Sequence, residues 1–505
     1  MNFSIKRSFW KKKFKKYRSP AITKRRLPKN TIVSKLTPLV ILLGLAENVY
    51  YVFAVQKTKG FYMSSFIVEG GAKLQGNIRT AGNKNEALPV IAASLLCRGA
   101  VTLSNVPDIG DVRSMLSIAS MLGARVSEIN NASVSIDATA EPSSSLPMEM
   151  SNLIRGSILF ASSLLARTGK AVIPQPGGDS IGRRRLDTHF LVFKELGAKL
   201  TIKHPRGLKD SGPVLYVLEA KNGLHGADIC LDEASVTATE NAVIAAAGAH
   251  GRTSIVNAAS EPHVQGLCRF LEKSGVKIGG IGSNVLTING TGSFKCSRHA
   301  IGSDYIETGS FIGLAAATRS EITITNVDLQ YMKMILFQFA RLGIRVEIDQ
   351  EKHLIVVPGR QSMKIQHDLG GAIPKIEDNI WPAFPADLMS IMIVAATQVH
   401  GTCLLHEKMF ESRLFFVDKL ISMGAQIVIC DPHRAVVSGP SPLVGATISS
   451  PDIRAGMALL IAACAAKGKS RIQNIEQIDR GYEKIDQRLS SLGARITRTA
   501  ERRKY

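Results

Sequence analysis

The sequence predicts an α/β fold of six repeats arranged around buried helices, and two periodic features carry that prediction. A glycine closes a helical pattern and opens a strand at SMLGARV, ELGAKL, KSGVKI, RLGIRV, SMGAQI and SLGARI, that is at Gly123, Gly197, Gly275, Gly343, Gly424 and Gly493. These glycines recur every 68–81 residues, and each supplies the left-handed turn that ends a helix. Between them, Ala-rich apolar segments occupy 87–96, 153–166, 239–249, 307–317, 387–397 and 454–466, each followed by a short turn and a strand such as RGAVTL or HGRTSI. They are apolar nearly all round, unlike a surface helix with one oily stripe, and so belong in the interior. The helices at 330–342 and 414–423 are more amphipathic. Each repeat reads strand, helix, strand, buried helix, and six copies form either two groups of three or one ring of six. The glycine-rich run GGIGSNVLTINGTG (279–292) fits neither phosphate-loop pattern and reads as a hairpin.

Composition narrows the function. With 505 residues, 45% hydrophobic and 6% aromatic, the chain is not a mostly disordered one. Its net charge of +22 is uneven: residues 1–60 hold 15 Lys and Arg against one acid, Glu47. The rest is mildly basic, which suits a small anionic substrate better than a nucleic-acid duplex. Two Trp make no stacking platform for single strands, so no nucleic-acid partner is expected. Residues 1–62 read as a basic extension, disordered or not native, outside the fold. Its apolar stretch 38–55 is interrupted by Glu47 and Asn48, so membrane association is not expected; an anchor and an organellar targeting peptide are the alternatives. The seven cysteines are scattered and never form CxxC, as in reduced thiols of a cytoplasmic protein. No His/Cys cluster has zinc spacing, so no metal is expected.

Charged and amide side chains gather where the buried helices begin: Lys84 and Asn85, Arg155, Ser235 and Thr237, Asp304 and Glu307, Asp387, and Asp452 with Arg454. Asp304 and Asp452 read as caps. Lys84, Arg155 and Arg454 oppose the helix dipole, so capping does not explain them; cations beside positive helix ends imply a bound anion. A second cluster, PQPGGDSIGRRRLDTH (174–189), is a loop after a strand. It is either a solvated loop or a lid carrying phosphate-binding arginines and one acid.

Taken together, AGNKNEALP (81–89), PGGDSIGRRRLDTH (176–189), ASVTATEN (234–241), FPAD (384–387), FESR (410–413) and IDRGYEKI (478–485) resemble the UDP-N-acetylglucosamine 1-carboxyvinyltransferases, of the enolpyruvyl transferases. The likeness spans about 65–498 in order, and the set is specific where any single motif is weak. It implies a two-domain inside-out α/β barrel with helices inside. One domain would run over 84–302 and carry the mobile loop 176–185; the other would be 63–83 plus 303–505, with the substrates in the cleft between them. The implied reaction moves the enolpyruvyl group of phosphoenolpyruvate to the 3′-hydroxyl of UDP-N-acetylglucosamine by addition and elimination, releasing phosphate. It is the first committed step of peptidoglycan synthesis and needs no metal or organic cofactor.

The resemblance also implies roles. Lys84, Arg184 and Arg480 match phosphoenolpyruvate-binding positions, with Arg155, Arg413 and Arg454 nearby. Asp387 matches the residue at the sugar 3′-hydroxyl, a general base whose usefulness depends on closure and a raised pKa. Asn85, Arg184, Arg185, Leu186, Asp187, Thr188, the run Glu233–Val236 with Ser235, and Met409 match sugar-nucleotide contacts, although Glu233 stands where the family is often basic. The loop carries Asp179 where many members carry Cys, in the role of general acid toward the methylene carbon. A carboxyl can serve if closure raises its pKa, but it cannot form the thioether that captures the epoxide fosfomycin, so activity with fosfomycin resistance is expected. The competing readings are a shikimate-pathway enolpyruvyl transferase and an inactive sugar-nucleotide-binding regulator.

Overall fold

The structure is a computed structural model and describes residues 62–179, 181–203 and 214–502. The basic extension and its apolar stretch 38–55 lie outside the described residues.

Six inner helices form where the Ala-rich segments predict them: α1 (Lys84–Ser94), α2 (Phe160–Thr168), α3 (Val236–Ala247), α4 (Tyr305–Thr318), α5 (Met389–Ala396) and α6 (Ile453–Ala465). α1, α3, α4 and α6 start one to three residues earlier than the apolar pattern does, because polar residues form their first turns, whereas α2 and α5 start seven and two residues later, after 3₁₀ turns. Asn83 caps α1, Asp304 caps α4 and Asp452 caps α6, each side chain accepting two backbone N–H groups. Ser235 caps α3. The other two are entered through 3₁₀ turns, Arg155–Leu159 before α2 and Ala386–Leu388 before α5. Every residue of α5 is buried, and so is α4 from Tyr305 to Ala317. Each fully buried Leu or Ile contributes about 1.5–3 kcal/mol, so burial, not propensity, holds these helices.

Around them lie six sheets on one plan. A short strand leads into an inner helix, the strand leaving that helix pairs parallel with it, and an antiparallel hairpin completes the sheet. In one sheet, 228–230 pairs parallel with 252–256, which pairs antiparallel with 285–289 and through it with 277–279. Four strands per repeat replace the two read from sequence, since three-residue lead strands carry no periodicity. In the sheet of 170–174, 215–219 and 199–203, the lead strand shrinks to one bridge, Ser145 to Val172. The run 279–292 contains the expected hairpin, and all six repeat glycines have φ between +76° and +107°.

In the sheet of 447–449 and 469–473, strands 62–69 and 495–502 stand in place of the hairpin. The chain also departs from the plan by one exchange. Strand 75–79 precedes α1 yet pairs with 321–325, which follows α4; strand 298–300 precedes α4 yet pairs with 100–104, which follows α1. The two crossing segments touch at Gly82 and Ser303. Carboxylates on the first turns of α1 and α4 secure them reciprocally. Glu86 accepts from Gly302 N (3.1 Å) and lies 2.8 Å from His299 Nε2; Glu307 accepts from Ala81 N (2.7 Å) and from Arg488 (2.7 Å). The exchange gives two hydrophobic cores, one of residues 87–301 and one of residues 66–78 and 305–494. Two groups of three, not a ring of six, is therefore the arrangement.

Inner helices approach closely where glycine permits. A Cβ on Gly313 of α4 would stand 2.4 Å from Ile391 Cγ2 of α5. Gly313→Val should lower the unfolding free energy by about 1–3 kcal/mol or more, read as a lower urea midpoint. Gly292→Ala, with nothing within 4 Å of the added Cβ, should leave the midpoint unchanged.

Candidate active site

All six inner helices, or the turns that lead into them, bring their N-terminal ends to one cavity of about 260 Å³. Lys84 and Asn85 come from α1, Gly156 from the turn before α2, Val236 from α3, Tyr305 from α4, Asp387 from the turn before α5 and Arg454 from α6. Each helix start carries partial positive charge. To this the cavity adds the side chains of Lys84, Arg155, Arg184, Arg413, Arg454 and Arg480. The cations that capping could not explain thus converge on one volume, as an anion site requires.

The loop 176–185 closes over this cavity and bridges the two cores. Arg155 Nη2 donates to the carbonyls of Arg184 and Arg185, both at 2.8 Å. From the other core, Ser412 N donates to Ile181 O at 3.2 Å, and Arg480 forms an ion pair with Asp179. Gly178 has φ +118°, and a Cβ there would lie 2.9 Å from Arg155 Cβ, so this close approach requires glycine.

Carboxylates neutralise part of the positive charge. Asp111 bridges the cores, with Oδ2 2.8 Å from Lys84 Nζ and Oδ1 2.8 Å from Arg480 Nε. Asp387 takes 2.9 Å bonds from Arg454 Nε and Arg413 Nη2. Arg184 is the exception: among the described residues it forms no ion pair. Burial holds its pKa below the ordinary guanidinium value, while Asp179 and Asp387 act in the opposite sense. Burial and Arg184 also lower Arg155, to about 10. Arg454 Nη1 and Arg413 Nε are buried without hydrogen-bond partners. Behind Arg413, Glu407 Oε2 lies 3.6 Å from Arg413 Nε, and burial raises the Glu407 carboxyl above its ordinary range.

Two sequence expectations change here. Asp387 lies in the site, but its pKa is not raised. Burial acts upward, yet the charges of Arg454, Arg413 and Lys84 outweigh it and hold the carboxyl well below the usual range. Asp179 rests against the Arg480 guanidinium instead of in an apolar pocket.

Met409 also lines the cavity. Leu186 and Asp187 instead line a neighbouring cavity of about 860 Å³, which shares Arg155 and Arg184 with the first. Arg185 is paired with Asp187 (3.2 Å) and Asp232 (2.9 Å), and the buried Thr188 hydroxyl donates to Asp232 at 2.7 Å. Ser235 accepts from Ala238 N as the cap of α3. Sequence reading missed Asp111, Glu240, Glu261, His263, Tyr305 and Trp381, all on the cavity wall. Asp111 sits in the first turn of the helix Gly110–Met121, where an acid reads as ordinary dipole compensation. Among the described residues no group of His, Cys, Asp and Glu could hold a metal ion, and no helix is long and apolar enough to cross a membrane.

The chain matches known proteins over the same region. The family described as EPSP synthase (3-phosphoshikimate 1-carboxyvinyltransferase) matches residues 68–489. UDP-N-acetylglucosamine 1-carboxyvinyltransferase of Treponema denticola is 52% identical over 434 residues, 86% of this chain and 99% of the relative. The protein of that name from Bradyrhizobium diazoefficiens is 52% identical over 440 residues, 87% and 99% of the two chains. The one from Bacteroides fragilis is 49% identical over 443 residues, 86% and 100%. Among solved structures, the enolpyruvyl transferase NikO from Streptomyces tendae superposes with a TM-score of 0.74 at 21% identity, covering 87% of this chain and 100% of that one. EPSP synthase from Acinetobacter baumannii gives 0.66 at 18%, covering 86% and 100%. Both carry the fold found here.

Two buried histidines by the site give a pH signature. Burial, then Arg155 and Arg184, lowers His189 to about 3; burial lowers His263 to about 4, with Asp387 acting upward and Arg454 downward. An unfolded histidine titrates near 6.5. Below that pH the unfolded chain takes up protons the folded chain refuses, so this contribution to stability is lost as pH falls from about 6.5 to 4. Relative to the parent, His263→Gln should therefore gain about 1.4 kcal/mol per pH unit over that window, read from urea midpoints. The buried Glu407 acts with the opposite sign, and taking the difference between parent and variant cancels it.

Proposed function

The chain belongs to the UDP-N-acetylglucosamine 1-carboxyvinyltransferase family, and we propose that it transfers the enolpyruvyl group of phosphoenolpyruvate to the 3′-hydroxyl of UDP-N-acetylglucosamine, the first committed step of peptidoglycan synthesis. The observation that carries this reading is the convergence of six cationic side chains on one cavity, with Arg454 Nη1 buried and without a hydrogen-bond partner and Arg184 in no ion pair among the described residues. Such a site fits a small, multiply charged anion. Relatives at about 50% identity over 86% of the chain favour the sugar-nucleotide acceptor over shikimate 3-phosphate.

In this reading the donor's phosphate and carboxylate are held by Lys84, Arg184 and Arg480, with Arg155, Arg413 and Arg454 around them. The acceptor is held by Asn85, Asp387 and Met409, and its nucleotide by Arg185, Leu186, Asp187, Thr188, Ser235 and Val236. The shared wall of the two cavities, Arg155 and Arg184, supports a ligand that extends through both. Asp387 takes the proton of the 3′-hydroxyl as its oxygen attacks C2 of the donor. Asp179 gives a proton to the methylene carbon, and a tetrahedral ketal results. Loss of a methyl proton and departure of phosphate then restore the double bond. Fixed cations stabilise the charge of both steps without reorganising. Asp387 starts as a poor base, because two arginines hold it. Donor anions that draw on the unpartnered Arg454 Nη1 weaken that hold and restore basicity.

The division into domains 84–302 and 63–83 plus 303–505 belongs to the same reading and is supported by the two hydrophobic cores. A cytoplasmic location is proposed with it, supported by seven free cysteines.

Phosphate release should require both phosphoenolpyruvate and UDP-N-acetylglucosamine, and shikimate 3-phosphate should give none; turnover with shikimate 3-phosphate alone would overturn the assignment. The loop acid supplies a second check. Asp179 has no thiolate with which to open an epoxide, so the parent should resist fosfomycin, and Asp179→Cys should keep turnover and become time-dependently inhibited. Asp179→Asn should lose about 10²–10⁴-fold in kcat; near-normal turnover would remove Asp179 from the mechanism.

A further inference from the structure

The cavity is also lined by two carboxyl groups that, among the described residues, form no ion pair. Glu240, on α3, is 2% exposed. Glu261 stands at the start of the helix Pro262–Lys273 but does not cap it. Both line the cavity, together with Tyr305 and Trp381, whose ring centroids lie 5.7 Å apart. Oε1 of Glu240 and Oε2 of Glu261 are buried without a hydrogen-bond partner. Burial raises both carboxyls above their ordinary range, and Glu261 raises Glu240 further.

A buried carboxyl oxygen with no donor costs free energy. Two of them on one cavity wall form a surface that is complete only when a ligand supplies the donors. Ionised phosphate and carboxylate groups have none to give and belong with the arginines. Hydroxyl and amide N–H groups do, and an aromatic face beside a few fixed polar atoms is how pockets bind uncharged polar rings. We propose that Glu240 and Glu261 form the wall that recognises the acceptor's N-acetylhexosamine, their free oxygens accepting hydrogen bonds from its hydroxyl and amide N–H groups. The proposal rests on the sugar-nucleotide reading above and adds specificity residues to it. A site that rewards these donors rejects an acceptor lacking them, because the wall would stay unpaired.

The test uses Glu240→Met, which keeps the length of the side chain and removes its oxygens, with Glu240→Gln as the conservative variant. The chain has two Trp, Trp10 and Trp381, so Trp381 fluorescence in the full-length protein reports binding. Glu240→Met should weaken UDP-N-acetylglucosamine about tenfold, equivalent to about 1.4 kcal/mol, and leave the Kd of UDP unchanged. It should also raise the Tm of the unliganded protein, since an unpaired buried carboxyl is gone. Glu240→Gln should recover most of the affinity. Unchanged sugar-nucleotide affinity in Glu240→Met would overturn the proposal. So would equal weakening of UDP, or a fall in Tm accompanying the loss, which marks a structural role. If the parent turns over and Glu240→Met binds like it, this inference alone fails; if the parent releases no phosphate from the two substrates, the functional reading fails first.

Discussion

Positive charge gathered at the starts of six buried helices is the constraint from which the rest of the structure follows. Each inner helix is largely apolar along its length, so its charged groups gather toward its start. The exchange of strands between the two halves turns all six N-terminal ends to one cleft. Partial charges from the helix ends then add to six cationic side chains, Lys84 and five arginines. Without internal counter-ions such a cluster would be unstable. Asp111, Asp179 and Asp387 supply them, and two do so across the cleft: Asp111 joins Lys84 to Arg480, and Asp179 joins the loop to Arg480. Asp387 pairs with Arg413 and Arg454 within one half. Ion pairs that make the unliganded site tolerable are therefore in part the same ones that link the two halves.

The crossings between the cores show the same economy. The chain crosses at two adjacent segments, and the carboxylate that starts α1 bonds the backbone of one crossing while that of α4 bonds the other. Glu86 lies two residues from Lys84, and Glu307 three from Asp304. The crossings are thus bonded directly to the first turns of two inner helices whose starts line the cavity.

The repeats were legible in the sequence because a helix that must be apolar all round leaves a mark that no loop or surface helix imitates. The glycines Gly123 to Gly493 were legible because only a left-handed turn joins each outer helix to its strand. Lys84 and Arg454 were legible as site residues because they sit where a dipole disfavours them. Asp111 was not, because an acid in a first turn obeys the ordinary rule, and its partners come from the opposite core. Glu240 was hidden inside an Ala-rich helix, where nothing local distinguishes a cavity wall from packed interior. The lead strands were missed because three residues establish no period. Asp387 lines the cavity, but its ionisation was not legible: a pKa depends on the charges that surround a group, and Arg413 and Arg454 reach it from 26 and 67 residues away in sequence.

The loop acid is where the proposed chemistry and the observed contacts meet. In the structure Asp179 forms an ion pair with Arg480 of the opposite core. In the proposed mechanism the same two side chains serve different partners: Arg480 holds the donor's phosphate, and Asp179 gives a proton to the methylene carbon. Binding of the donor would therefore exchange the Asp179–Arg480 pair for a phosphate–guanidinium pair, in which a dianion has the advantage over one carboxylate. Arg155 bonds the loop through the carbonyls of Arg184 and Arg185 and not through Asp179, so that exchange would leave this hold on the loop in place. One carboxylate would thus be the counter-ion of the unliganded site and a reactant of the liganded one.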